Sequence, residues 1–253
     1  MPVPAPPLPA AFLERPIAHR ALHGPGRPEN SRAAIRAAVA AGYGIEIDVQ
    51  PSADGVAMVF HDADLDRLTG TAGPIRGRTA ADLARLPLHG GDEGIPTLAE
   101  VLALVAGRVP LLVEIKDQDG ALGPGVGALE AATAAACAGY AGPLAVMSFN
   151  PHSVAAMARH APGTPRGLTT CAFSAAAWPR VPAARRAELG RIGDLDRVGA
   201  AFVSHQASDL DRLGPAGIAA RLPVLTWTIR SRRAERQARR VACNVTFEGY
   251  LPA

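Results

Sequence analysis

Three carboxylates and two imidazoles carry most of the chemistry that this sequence offers. Glu46 and Asp48 alternate with Ile45, Ile47 and Val49. That period of two places both acids on one face of a single strand. Glu114 lies in a second apolar run, Pro110–Ile115. Three carboxylates gathered at one point repel one another and force protons onto some of them, unless a divalent cation stands between them. A ligand set made only of oxygen suits a hard ion, Mg²⁺ or Ca²⁺, rather than zinc. An E-x-D pair taken alone fits equally an exposed strand paired with arginines. His19 follows Pro16-Ile17-Ala18, and His61 follows Met58-Val59-Phe60. Two imidazoles facing one centre can act as acid and base near neutral pH. Either histidine alone reads as a hydrogen-bonded core or rim residue. His23, His89, His152 and His160 fall in loops or on helices and read as structural, and His205, directly after Ala200–Ser204, is held in reserve. Arg20 and Lys116 each adjoin one of these positions, where a cation can hold a phosphate oxygen. Lys116 is the only lysine among 26 basic residues.

The elements that must position these residues alternate from end to end. Short β-type runs at Pro16–His19, Gly44–Val49, Val56–His61, Pro110–Ile115, Leu144–Phe149, Gly167–Thr170, Ala200–Ser204, Pro223–Ile229 and Val245–Phe247 are separated by Ala-rich helical stretches. About eight strands with intervening helices in 253 residues predict a (β/α)₈ TIM barrel. A doubly wound open sheet is the competitor, but no Gly-rich phosphate fingerprint follows the first strand. The pattern loosens over residues 62–96, so a small insertion is expected there, after the second or third strand. Residues 1–253 read as one domain. In a barrel, polar residues at the C-terminal strand ends build the active site, and His19, Glu46, Asp48, His61 and Glu114 all sit at such ends.

Composition narrows the function classes. The chain is 48% hydrophobic and 19% charged, with a net charge of +3. It can bury a large core and is not a disordered polyelectrolyte. Aromatic residues make up 4%, poor material for stacking bases. The dense basic stretch Arg230–Arg240 has its six arginines at helical spacing, as a solvated helix face does. No nucleic-acid partner is expected. No apolar run approaches the ~18 residues of a membrane span, and the Pro-rich Met1–Ala10 lacks the features of a signal peptide. The three cysteines form no CxxC pair. A cytoplasmic location without stable membrane insertion is the expectation.

Taken in order, the motifs resemble the glycerophosphodiester phosphodiesterases. The resemblance rests on Ile17-Ala18-His19-Arg20, Pro28-Glu29-Asn30-Ser31, Gly44-Ile45-Glu46-Ile47-Asp48-Val49, Asp54-Gly55 and Val59-Phe60-His61-Asp62. It continues through Leu65-Asp66-Arg67-Leu68-Thr69-Gly70, Ile95-Pro96-Thr97-Leu98 and Val113-Glu114-Ile115-Lys116, and more loosely through Ser148-Phe149-Asn150 and Thr226-Trp227-Thr228. It implies a TIM barrel that hydrolyses a small-molecule glycerophosphodiester to sn-glycerol 3-phosphate and an alcohol. It also implies that His19 and His61 form the acid/base pair, that Glu46, Asp48 and Glu114 hold one divalent cation, and that Arg20 and Lys116 contact the phosphate. Trp227 would line the pocket near the glycerol or head group. Two positions depart from the family pattern. Ala21 stands where the family has glycine, after which Ala21–Arg27 is longer than the shortest family versions. The C-terminal T-D-x-P becomes Thr246-Phe247-Glu248-Gly249-Tyr250-Leu251-Pro252, without the aspartate. A phospholipase D-like or phosphatidylinositol-cleaving barrel enzyme, or a non-catalytic barrel that binds glycerophosphodiesters, are the alternatives.

Overall fold

The computed structural model describes residues 4–214 and 217–252. Eight parallel strands close on themselves: β1 (Ile17–Ala18), β2 (Gly44–Pro51), β4 (Leu111–Ile115), β5 (Leu144–Ser148), β6 (Arg166–Thr170), β7 (Phe202–Gln206), β8 (Val224–Ile229) and β9 (Asn244–Phe247). Closure comes from β1, which pairs in parallel with β2 on one side and with β9 on the other. The expected TIM barrel is therefore the fold.

One strand departs from the expectation. β3 (Ala57–Val59), read from sequence within the barrel series, instead runs antiparallel to β2, with Val49 opposite Val59 and Pro51 opposite Ala57. It is the return arm of a hairpin standing above the barrel mouth. The turn Ala53-Asp54-Gly55 makes this possible, with Gly55 at φ 79°. The excursion between β2 and β4 thus follows the second barrel strand and begins before residue 62. It has its own apolar centre, in which Met58, Phe60, Leu65, Ile75, Leu83 and Ile95 are buried.

Strand alternation sorts the side chains. Ile45, Ile47 and Val49 face outward and pack with Ala34, Ile35, Val101 and Val105 of the surrounding helices. Glu46 and Asp48 therefore point into the barrel. At the lower end of the barrel, Ile17, Leu112, Ala145, Phe202 and Leu225 form an apolar layer that Leu8 and Phe12 close from below.

The helices begin and end where the sequence provides caps. Ser31 accepts a hydrogen bond from the Ala34 amide at the start of helix Arg32–Ala41, and Gly42 ends it in the left-handed region at φ 73°. Thr97 and Glu100 form a reciprocal capping box on helix Leu98–Val105. Asn150 caps helix Pro151–His160, with proline in its first turn. The helix expected at Pro215–Ala220 lies partly outside the described residues; Ile218–Ala220 forms a single 3₁₀ turn. The arginines of Arg230–Arg240 are exposed around helix Arg232–Ala238, in keeping with a solvated face.

Candidate active site

The two acidic strands meet in register. Asp48 lies opposite Glu114 and Glu46 opposite Leu112, so the carboxylates occupy two adjacent layers of the barrel interior. All three are buried, and one oxygen from each falls within 4.8 Å of the others. Burial in this company pushes the Glu46 carboxyl well above the ordinary range, first by desolvation and then by the charges of Asp48 and Glu114. Its hydrogen-bond donor is the Arg20 amide, 2.8 Å from Oε2. Asp48 is held well below the ordinary range despite its burial, because the charges of Lys116, His61 and Arg20 favour its ionised form. Asn30 donates to its Oδ2 at 3.0 Å.

Lys116 stands among these acids, with Nζ 2.6 Å from Asp48 Oδ1 and 2.5 Å from Glu114 Oε1. Its pKa is raised by the two carboxylates against the opposing effect of burial. The set still carries more negative than positive charge, and among the described residues Glu46 has no cationic partner within ion-pair distance. This is where a divalent cation fits: an all-oxygen donor set, converging, with one carboxyl otherwise driven to take up a proton.

Both histidines reach the same chamber of about 190 Å³, whose walls also include Arg20, Lys116, Trp227 and the three acids. Each has a carboxylate behind it. His19 Nδ1 is 2.5 Å from Glu248 Oε2, and His61 Nδ1 is 2.6 Å from Asp62 Oδ1. Nε2 of each ring makes no protein hydrogen bond among the described residues. His61 does not close a barrel strand. β2 runs on past Asp48 to Pro51, and β3 returns to the level of Asp48, where the Phe60 amide donates to the Asp48 carbonyl at 2.9 Å. The hairpin hands His61 to the site from above.

Several supporting residues were not assigned roles from sequence. Glu29 holds Arg20 at 2.9 Å and Arg67 at 2.7 Å, and Arg67 in turn holds Asp62 at 2.6 Å. The P-E-N motif therefore buttresses both Arg20 and the His61–Asp62 pair. Glu248 restores an acid to the last strand, one residue beyond Phe247. The Thr-Phe-Glu order had carried that signal as an acid displaced along the chain. Glu248 is held far below the ordinary carboxylate range, first by its hydrogen bond to His19 and then by the nearby imidazole of His23. His23 itself, read as structural, approaches Glu248 Oε2 at 3.7 Å. Ala21 keeps the left-handed backbone that glycine would supply, at φ 65°, and its amide donates to the Glu46 carbonyl. His205 is a core residue: its Nδ1 is 2.7 Å from Thr170 Oγ1 and its Nε2 3.2 Å from the Asp209 carbonyl.

Beside the chamber opens a wider cleft of about 760 Å³. Phe149, Trp178 and Trp227 line one side of it, Phe149 lying 4.9 Å from Trp178 and 5.5 Å from Trp227 between ring centres. The Trp227 indole N–H donates to the Ser204 carbonyl, which fixes the ring.

Comparison with known proteins agrees with this arrangement. The profile of the Glycerophosphoryl diester phosphodiesterase family matches residues 19–246. A glycerophosphodiester phosphodiesterase of Caldanaerobacter subterraneus is 38% identical over 118 residues, which cover 44% of this chain and 48% of that relative. The matched stretch thus spans about half the length of this curated relative. An Oleispira antarctica phosphodiesterase, solved with the product sn-glycerol-3-phosphate, superposes with a TM-score of 0.76 at 26% identity, covering 95% of both chains. A Silicibacter pomeroyi protein superposes with a TM-score of 0.75 at 21% identity over 95% of this chain and 94% of its own, and it shares the fold. With the match running from the first histidine to the last barrel strand, the chain belongs to the Glycerophosphoryl diester phosphodiesterase family.

Proposed function

We propose that the protein hydrolyses glycerophosphodiesters to sn-glycerol 3-phosphate and an alcohol. The observation that carries this reading is the entry of two carboxylate-backed histidines, His19 and His61, into one chamber with a buried triad of acids and two cations. A protein that only bound the diester would have no use for two proton-transfer groups.

Glu46, Asp48 and Glu114 would hold a divalent cation, Mg²⁺ or Ca²⁺, which when bound neutralises charge on the phosphoryl oxygens. Arg20 and Lys116 flank the same position and bind the phosphate by charge-assisted hydrogen bonds. One histidine accepts the proton of the attacking hydroxyl, and the other returns a proton to the leaving alkoxide. Glu248 and Asp62 fix each ring through Nδ1, which leaves Nε2 for the reacting oxygen. Trp227 and Phe149 lie at the junction of chamber and cleft and border the space for the glycerol or the alcohol.

Small soluble diesters fit this surface better than a lipid bilayer. Among the described residues Leu251 is the one large hydrophobic side chain that is exposed, and no helix is long and apolar enough to cross a membrane.

The test is turnover of a panel of glycerophosphodiesters with the phosphate product identified, with and without EDTA. Release of sn-glycerol 3-phosphate that EDTA abolishes is the expected result. His19→Ala and His61→Ala should each lower kcat by about 10²–10⁴-fold. The double variant should fall far short of the product of the two losses, because the pair acts as a unit. Binding of the diesters without turnover would overturn the proposal.

A further inference from the structure

Behind His19, on the side away from the acid triad, lies a second convergence of possible ligands. His19 Nδ1, His23 Nε2 and a Glu248 oxygen fall within 4.8 Å of one another. Glu248 Oε2 is the shared oxygen, 2.5 Å from His19 and 3.7 Å from His23. The other oxygen, Oε1, is taken by Arg230, whose Nε donates at 2.8 Å. That contact orients the carboxylate so that Oε2 faces both rings, as an outer partner of a metal-binding carboxylate does.

His23 supplies the independent sign of a missing ligand. Its Nε2 is shielded from solvent and has no hydrogen-bond partner among the described residues, although a carboxylate stands 3.7 Å in front of it. A buried polar nitrogen left unpaired costs free energy unless something else occupies the gap. The ring is also placed with care. Arg20 and Ala21 both adopt left-handed backbone, at φ 52° and 65°, and the His23 amide donates to the Ala21 carbonyl at 2.9 Å. This turn swings His23 across to the C-terminal end of β9. The cluster opens on a cleft of about 410 Å³, lined by His23, Glu248 and Tyr250 among others, so an aqueous ion has a way in.

We propose that His19, His23 and Glu248 form a binding site for a borderline transition-metal ion, Zn²⁺ first among them, and that occupation of this site switches off the phosphodiesterase. The donor chemistry separates it from the acid triad: two imidazole nitrogens and one carboxylate oxygen suit Zn²⁺, whereas oxygen alone suits Mg²⁺ or Ca²⁺. Three protein ligands leave a fourth tetrahedral position for water. Ligand atoms on a tetrahedral zinc lie roughly 3.3–3.5 Å apart for bonds of 2.0–2.2 Å. His19 and Glu248 must part by about 1 Å to reach that spacing, and His23 Nε2, 3.7 Å from Glu248 Oε2, lies just beyond it. The ion takes the place of the proton between Nδ1 of His19 and Glu248, and the ring's single proton moves to Nε2. A metal on Nδ1 leaves the ring's remaining proton on Nε2, where the imidazole neither accepts a second proton nor readily gives up the first. His19 is then lost to proton transfer. The inhibitory consequence rests on the role of His19 proposed above; the binding of zinc does not.

His23 is the residue to change, because it lies outside the machinery assigned to the reaction. Equilibrium dialysis against Zn²⁺ should show one equivalent retained by Glu46→Gln/Asp48→Asn protein, in which the acid triad is disabled. That equivalent should be lost when His23→Ala is added. In otherwise wild-type protein with saturating Mg²⁺ or Ca²⁺, Zn²⁺ should inhibit turnover. His23→Ala should raise the inhibitory concentration at least about tenfold, since even outer-shell changes cost 10–100-fold in metal affinity. His23→Asn serves as a second variant, and thermal melting confirms that both are folded. Equal zinc uptake with and without His23 would overturn the site. Inhibition unchanged by loss of His23 would place zinc at the acid triad and overturn the switch. Zinc uptake that depends on His23 in a protein that hydrolyses no diester would uphold the site and refute only the phosphodiesterase reading.

Discussion

Lys116 is the most constrained charge in the site. Its ammonium sits between two buried carboxylates, and a planar guanidinium cannot occupy that space with the same two contacts. Lys116→Ala leaves the acids without their counter-charge. It should lower stability by about 3–5 kcal/mol at neutral pH, as loss of one partner of a buried pair does, with recovery as divalent cation is added. Lys116→Arg should be folded yet poorly active; wild-type kcat/KM in that variant would show that charge alone is needed there. Glu248 makes a second prediction, for pH. Burial lowers the His19 pKa from its usual 6.5, and Glu248 opposes that effect. With His19 neutral as the active form, the acid limb of kcat/KM lies below pH 6.5 and activity is lost as pH falls through it. Glu248→Gln removes the opposing charge, so the limb should move to still lower pH. The ring is also freed, and kcat should drop by roughly 10–100-fold, less than for removal of the imidazole itself. A limb that stays in place would remove Glu248 from contact with the titrating group.

At the scale of elements, the strand interiors govern what can be altered. Gly167 in β6 packs against Phe202: a Cβ built there would lie 2.6–2.7 Å from three ring carbons. Gly167→Ala should cost about 1–3 kcal/mol, read as a lower denaturant midpoint at unchanged m. Much of this architecture was legible because periodicity reports burial directly. The E-x-D strand alternates in sequence and in space, and Ser31, Gly42 and Thr97 mark helix ends by local chemistry alone. The barrel count misled at β3, because Val56–His61 has the composition of a strand but nothing local states which way it runs. Glu248 and His23 were missed for a related reason. Glu248 meets His19, 229 residues away in sequence, and His23 meets Glu248, 225 residues away, and no spacing rule reaches that far. Asn30 was quoted within its motif, but its bond to Asp48 becomes visible only once helix and strand are packed.

For the molecule as a whole, a cation bound by the native triad and not by the unfolded chain must stabilise the fold by mass action. Mg²⁺ or Ca²⁺ at 100 times its dissociation constant should add about 2.7 kcal/mol, so Tm should rise with either ion and fall in EDTA. A Tm indifferent to both would argue against a preformed cation site. The closure of the barrel has a further consequence, for synthesis. β1 contributes two residues to the sheet and is clamped between β2 and β9. Until β9 has been made, β1 and β8 are open edges, and exposed strand edges invite pairing with other chains. The same last strand delivers Glu248 to His19. A nascent chain halted between residues 116 and 248 therefore carries the three acids and both histidines, yet it has neither a sealed sheet nor a seated His19. The contacts that seal it join distant parts of the chain, the kind that form late and slowly. Ribosome-bound intermediates of this protein should be catalytically silent and dependent on holding factors, with activity arriving in a single step as the seam zips shut.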